Sequence, residues 1–345
     1  MLMNEQRLRI GFIGAGANTK LRHLPGFKAI PGVELQVVCN RSAESSQRVA
    51  NEFGIKRIAQ QWCEVIDAED VDAICVGTWP NLHAQISIAA LNAGKHVLTE
   101  ARMAMNVEEA EAMLAAETAH PNLVAQIVPA PMSLHMDATV IRCLTDGVIG
   151  QLREVLITHS HGLFANSSAP LSWRQDIRLS GINMLTVGIY YEIVRRWLKS
   201  DPRRVLARGK VHTPQRKNEN GEWVDVRIPD SISILGEYKN NVHLVAHFSG
   251  VEAGEVRDEI RLVGSNGMLR ADFKNDQLLF SSPGLPEQAI ESVDRRGWQV
   301  ETDFVDSIRN DTPVKLTSFD EGVRYMRVTQ AIRNSYDKGS VWISV

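Results

Sequence analysis

The sequence predicts an α/β plus α+β protein: a parallel sheet with interleaved helices over residues 1–128, then a mostly antiparallel open sheet with helices on one face over residues 129–345. Three observations predict it. Short apolar runs alternate with helical patterns up to about residue 128, as βαβ units and a parallel sheet require. Beyond about residue 130 the apolar segments lengthen, and Asn240-Asn241 and Ser265-Asn266-Gly267 are hairpin signals. The 345 residues also exceed one ordinary core, at about 150 residues per domain.

In the first domain, residues 8–13 form an apolar strand that ends in glycines, and a helical pattern follows to about Ile30. Pro31-Gly32 is a turn before the strand Val33–Cys39, and residues 43–53 have helical spacing with Val49, Ala50 and Phe53 on one face. Strands are then expected at 71–77, 96–98 and 123–128, with helices at 82–93 and 107–118. In the second domain a helix at 137–146 precedes strands at 152–161, 203–212, 230–238, 241–249, 257–264 and 267–273. Helices are expected at about 184–199 and 319–337, and the polar stretch 212–229 reads as a surface loop.

Composition excludes several classes. The net charge is −3 with no long basic run, so the electrostatic footprint of a nucleic-acid binder is missing. No apolar run approaches the roughly 20 residues that span a bilayer, and the N-terminal residues lack a hydrophobic signal region, which gives a cytoplasmic expectation. The four cysteines, Cys39, Cys63, Cys75 and Cys143, form no CxxC pair and are expected as buried free thiols. No metal site is expected.

The segment Gly14-Ala15-Gly16-Ala17-Asn18-Thr19 follows a strand and opens a helix, the context in which GxGxx binds a dinucleotide. The first glycine permits the tight turn, the second lets the backbone approach a pyrophosphate, and the helix N-terminus offers free N–H groups to the anion. Thr19 stands where a third glycine is usual, a position that governs helix–strand packing. After the second strand comes Asn40-Arg41-Ser42, where an NAD-selective domain places an acid for the ribose hydroxyls. Arg41 would pair with a 2′-phosphate and Ser42 would donate to it, which favours NADP with NAD as the alternative; Arg41 covering adenine would suit both.

Residues 74–105 contain Thr78-Trp-Pro-Asn81-Leu-His83, then Ala93-Gly-Lys-His-Val, then Glu100-Ala101-Arg102. This stretch resembles the Gfo/Idh/MocA oxidoreductases, named for glucose–fructose oxidoreductase, inositol dehydrogenase and a rhizopine-catabolism protein. Gly147-x-x-Gly150, Trp173-Arg174, Ser180-Gly181, Gly188, Arg196-Trp197-Leu198, Phe304 to Ile308 and the closing helix extend the resemblance over nearly the whole chain. It implies a Rossmann domain, an open antiparallel sheet and an active site in the cleft between them. It implies oxidation or reduction of a sugar, sugar acid or cyclitol, with Thr78, Trp79, Pro80, Asn81, His83, Glu100, Ala101 and Arg102 at the cofactor. It also implies a homodimer or homotetramer through the C-terminal sheet.

The departures from that family are equally specific. Its usual Glu-Lys-Pro is Glu100-Ala101-Arg102 here, and its Asp-x-Gly-x-His is Thr186-Val-Gly-Ile-Tyr190. These mark a subgroup with rearranged acid–base chemistry. Tyr190 stands in the place of the family's His and would move a proton if a nearby cation lowered its pKa. His159 and His161 share one strand face, which makes His161 a second candidate, and Glu100 is the third catalytic candidate. Trp173, Arg174, Asn183, Thr186 and Tyr190 are expected at the substrate, and Glu192 would orient an adjacent Arg or bind a hydroxyl. Arg174 and Arg102 would suit an acidic substrate. Two other functions stay open: a glycoside-cleaving enzyme with a tightly bound cofactor, and a non-catalytic NADP-binding sensor.

Overall fold

The apolar run Leu8–Ile13 forms β1, buried at the centre of a six-stranded parallel sheet. Its companions are β2 (Val33–Cys39), β3 (Arg57–Ile58), β4 (Ala73–Val76), β5 (His96–Thr99) and β6 (Ala125–Ile127). The order β3-β2-β1-β4-β5-β6 is that of a dinucleotide-binding doubly wound sheet. The helices α1 (Leu24–Ala29), α2 (Ala43–Phe53), α3 (Trp62–Ile66), α4 (Pro80–Asn92) and α5 (Val107–Ala119) connect the strands. Local chemistry sets their ends. The Ser42 hydroxyl accepts from Ser45 N–H and caps α2, a contact worth about 1 kcal/mol, and Gly54 closes the helix at φ 74°. Asn106 caps α5 through Glu109 N–H, and Pro80 occupies the first turn of α4, where its missing N–H costs nothing. In place of a plain helix after β1, one π-helical turn (Thr19–His23) precedes α1.

The computed structural model describes residues 7–254, 256–293 and 297–345. The signal-region expectation for the first six residues lies outside them. Two compact units divide the chain: the first runs to Pro129 and takes back Gln299–Val323, and the second holds Ala130–Trp298 and Arg324–Val345. The boundary expected at 128/129 therefore has a return segment. Helix α9 (Val300–Asn310) belongs to the first unit because Phe304 packs edge-on against Phe27, with ring centroids 6.2 Å apart. The second boundary falls within α10 (Phe319–Asp337).

The second unit begins with α6 (Asp137–Thr145), β7 (Leu152–Ser160), the short α7 (Ile177–Ser180) and α8 (Val187–Leu198). Then follow β8 (Arg204–Lys210), β9 (Gln215–Lys217), β10 (Trp223–Asp225), β11 (Ser231–Glu237) and β12 (His243–Ser249). The remaining strands are β13 (Arg257–Gly264), β14 (Met268–Asp272), β15 (Gln277–Ser281), β16 (Gln288–Ala289) and β17 (Ile343–Ser344). Nine of them form one sheet in the order β16-β15-β14-β13-β7-β12-β11-β8-β17. Its pairs are antiparallel except β7 with β12, which run parallel. Asn240 and Asn241 take φ 63° and 59°, the left-handed pair of a tight hairpin turn. The stretch 212–229 is not a loop, as expected, but the β9–β10 hairpin. Its residue Arg216 is buried because the guanidinium donates to the carbonyls of Phe164, Asn166 and Ala169. One cysteine also departs from expectation: Cys63 is exposed, while the other three are buried.

Burial alternates along the large sheet. Val155, Ile157, Leu244, Ala246 and Phe248 are buried, while Leu235 and Val245 on the opposite face are exposed. His159 on β7 lies opposite Phe248 and Asp258 in register, so these three share the inner face. His247 is on the outer face, bonded to Ser233. No helix among the described residues is long and apolar enough to cross a membrane.

Candidate functional site

In the first unit the glycine turn is built by close backbone approach. Gly14 has φ 83°, and a Cβ there would come within 2.7 Å of Thr78 N. Gly77, which the sequence reading passed over, is as constrained: a Cβ would lie 2.1 Å from Gly14 O and 2.2 Å from Thr19 Oγ1. Thr19 thus tolerates the place of a third glycine because Gly77 gives up its own side-chain space. Gly16 differs, since a Cβ would meet only Gly77 O at an ordinary 3.5 Å. Gly16 and Ala17 are exposed, so this face of the turn is bare backbone. Asn81 Oδ1 is a buried acceptor with no partner. Bare backbone at a helix N-terminus and an orphaned acceptor both fit a dinucleotide.

Several other expected cofactor residues also serve the fold. Asn40 Oδ1 accepts from Ala15 N–H at 2.6 Å, and its amide donates to Ser45 Oγ. The Ser42 hydroxyl accepts from Ser45 N–H in capping α2 and keeps its own proton to donate. Arg41 is exposed, with its guanidinium carbon 5.8 Å from the centre of the Trp79 ring. His83 is fully buried with its ring nitrogens at the carbonyls of Arg102 (2.9 Å) and Thr78 (3.1 Å). It is a strut between two loops rather than a cofactor-lining group, and burial lowers its pKa. Arg102, expected as a presented cation, is only 4% exposed. Thr78 and Ala101 are half-buried, and Pro80 is buried.

Glu100 lies in a cluster the sequence reading did not assemble. Asn18 Nδ2 donates to Glu100 Oε1 at 2.6 Å, and His23 Nε2 lies 3.1 Å from the same oxygen. His23 Nδ1 lies 2.5 Å from Glu301 Oε1, which α9 brings into the first unit. Burial alone would lower the His23 pKa, but the two carboxylates outweigh it and raise it to about 9. Burial raises Glu100, and His23 and Asn18 overcome that to hold it below the usual carboxylate value. Glu100 is therefore half of a locked ion pair.

In the second unit a cavity of about 530 Å³ is lined by His159, His161, Arg174, Thr186 and Arg216 together with apolar groups including Phe164 and Leu185. Tyr190 does not have the poised phenol expected of it. Its ring is buried and its hydroxyl donates to Asp258 Oδ1. Burial first, then the Asp258 charge and hydrogen bond, push its pKa well above that of an ordinary phenol. No cation lowers it, which corrects the sequence expectation. Because its one proton goes to Asp258, the Tyr190 oxygen accepts from His159 Nδ1 at 2.7 Å. Neutral His159 thus carries its proton on Nδ1 and leaves Nε2 bare. His161 has the opposite tautomer: its Nδ1 accepts from Leu163 N–H at 3.2 Å, so its proton sits on Nε2. The two rings meet edge-to-face at 5.4 Å.

The remaining expected residues divide in the same way. Arg174 and Thr186 line the cavity, and Thr186 Oγ1 is buried without a partner. Trp173 stacks under Arg174 at 4.2 Å. Asn183 is buried, and its amide nitrogen donates to Ser180 O. Glu192 orients Arg196 at 3.7 Å and accepts from Ala130 N–H. Sequence reasoning placed His159 beside His161 on one strand face and did not reach Asp258, whose pairing with His159 across β7 and β13 needed the register.

Comparison with known proteins agrees with this architecture. Residues 8–127 match the family model described as "Oxidoreductase family, NAD-binding Rossmann fold", and residues 138–270 match the "GFO/IDH/MocA C-terminal domain". The chain belongs to the Gfo/Idh/MocA oxidoreductase family. It is 39% identical over 107 residues to 4-carboxy-2-hydroxymuconate-6-semialdehyde dehydrogenase of a Sphingobium species, covering 31% of this chain and 34% of that protein. It is 27% identical over 224 residues to levoglucosan dehydrogenase of Pseudarthrobacter phenanthrenivorans, covering 63% of this chain and 57% of the relative. The chain thus spans a third to somewhat over half of the length of these curated relatives. A solved levoglucosan dehydrogenase in complex with NADH and levoglucosan shares the fold, with a TM-score of 0.87, 22% identity and coverage of 99% and 100% of the two chains.

Proposed function

We propose that this protein is an NAD(P)-dependent oxidoreductase acting on an alcohol or ketone carbon of a sugar-like substrate. The observation that carries the reading is the glycine turn, jammed at Gly14 and open at Gly16, in a domain of this family. Gly14, Gly16, Ala17 and Asn18 would hold the cofactor's pyrophosphate, and Asn81 would meet its nicotinamide end. A bound nicotinamide dinucleotide supplies hydride acceptance or donation. NADP is favoured because residues 40–42 offer no carboxylate and Arg41 stands exposed.

The second unit supplies the proton chemistry in this reading. His159 Nε2 takes the proton from a substrate hydroxyl as general base and returns it in the reverse direction. Tyr190 and Asp258 hold the imidazole in the required tautomer and stabilise the charge that forms on it. His161 Nε2–H donates to the substrate oxygen. This rearranged set replaces the family's lysine and histidine and makes the chain a subgroup in which Tyr190 is a positioning residue. We also place self-association on the outer sheet face that exposes Leu235 and Val245.

The test is ligand-linked stability. NADPH or NADH should raise the unfolding temperature by mass action, with the larger shift from NADPH. Gly16→Val should abolish the shift while leaving the unliganded unfolding temperature near wild type, because the added side chain fills ligand space only. A folded Gly16→Val protein with the full shift would refute this placement.

A further inference from the structure

The cavity of the second unit is lined by two arginines, Arg174 and Arg216, two histidines, His159 and His161, and no carboxylate. Arg216 is the informative member. It is 1% exposed, its terminal nitrogens reach only backbone carbonyls, and its Nε–H has no partner. Among the described residues no carboxylate pairs with it. A guanidinium taken out of water among neutral groups keeps an uncompensated charge, an arrangement that is costly unless an anion completes it.

Other observations point the same way. Thr186 heads the twelve-residue helix α8 and turns a buried, unpartnered hydroxyl to the cavity lining. The helix N-terminus adds partial positive charge there. Leu185, also in the lining, holds a left-handed backbone at φ 48°, which a bulky side chain adopts only when its surroundings fix it.

We infer that this cavity takes a substrate bearing a carboxylate, a sugar acid or related hydroxy acid, with Arg174, Arg216 and Thr186 receiving the carboxylate. The inference rests on the reading of the cavity as the substrate site of an oxidoreductase and narrows it. Arginine suits the task because its planar donors match a carboxylate in pairs. The faces of Phe164 and Leu185 suit the C–H surface of a sugar ring, and His159 and His161 remain for the reacting oxygen.

The experiment is calorimetric titration of the full-length protein with D-glucuronate, D-galacturonate and D-gluconate, each against its neutral counterpart D-glucose, D-galactose or D-sorbitol. At least one acid should bind about tenfold or more tightly than its neutral partner, with an affinity that falls as salt rises. Arg174→Gln should reduce that affinity about tenfold, the scale of one charge-assisted hydrogen bond, and reduce the affinity for the neutral partner by less. Arg216→Met should do the same where circular dichroism shows it folded, and Arg174→Gln carries the test if it does not. Equal affinity for every acid and its neutral partner, or indifference to Arg174→Gln, would overturn the inference. Its fate is separable from that of the enzyme reading. Acid binding without any NAD(P)H-induced stabilisation would sink the oxidoreductase and keep the anion site, and oxidation of neutral sugars with no preference for acids would do the reverse.

Discussion

Each unit contains a histidine tied to carboxylate chemistry, and the two are built to opposite ends. His23 is fully buried, with both ring nitrogens facing carboxylates, Glu100 on one side and Glu301 on the other. It has no face left for a ligand and holds its proton to about pH 9. His159 gives one nitrogen to Tyr190, is backed by Asp258 at 3.5 Å, and keeps the other nitrogen for a cavity. A buried imidazole with two acidic partners is a structural cation, whereas one with a single oriented partner and an open nitrogen is equipped to exchange a proton. The number of committed nitrogens, more than the nearness of an acid, separates the roles.

The sharpest way to break this contrast is to remove each imidazole. His159→Asn should lower kcat by about 100-fold or more with NAD(P)H affinity unchanged, the usual scale for a positioned acid or base. If His159→Asn retained more than about a third of wild-type kcat, proton transfer would not pass through this ring.

His23→Gln should instead act on stability. Its folded pKa of about 9 lies above the ordinary 6.5, so the stabilisation is fully present below about pH 6.5 and is lost as pH rises through about 9. That shift corresponds to on the order of 3 kcal/mol. The wild-type unfolding midpoint in urea should fall between pH 6.5 and 9.5, and His23→Gln should be less stable and flatter across that window. A wild-type midpoint that rises with pH there would contradict the assignment.

Smaller effects sharpen the picture. Tyr190→Phe keeps the ring packing against Phe248 and removes only the hydroxyl between His159 and Asp258. It should cost about tenfold in kcat and shift the pH–rate profile, less than the loss of His159 itself. A larger loss than that of His159→Asn would return the proton to Tyr190. Arg41→Ala should weaken the NADPH-induced rise in unfolding temperature and spare that of NADH, whereas equal loss for both would mean that Arg41 serves adenine alone.

Much of the fold was legible because its signals are local. Apolar strands, the Pro31-Gly32 turn and the Asn240-Asn241 turn act within a few residues of themselves. The β9–β10 hairpin was hidden because its strands are three residues each, β9 is wholly polar, and its anchor is the long-range bonding of Arg216. The site was legible in part. Gly16 is open on its outer face and His161, Arg174 and Thr186 line the cavity, but both ring nitrogens of His83 are spent on backbone carbonyls, and sequence does not distinguish such a strut from a ligand. His23 with Glu301, and His159 with Asp258, are joined across 278 and about 100 residues, and only the folded chain reveals such pairs.

The most direct measurement is nitrogen-15 NMR of histidine side chains, with resonances assigned through His23→Gln and His159→Asn. The account predicts that His23 keeps protons on both nitrogens up to about pH 9, while neutral His159 carries its proton on Nδ1 and shows a bare Nε2. A neutral His159 protonated on Nε2, or a His23 that has lost a proton by pH 7, would contradict it.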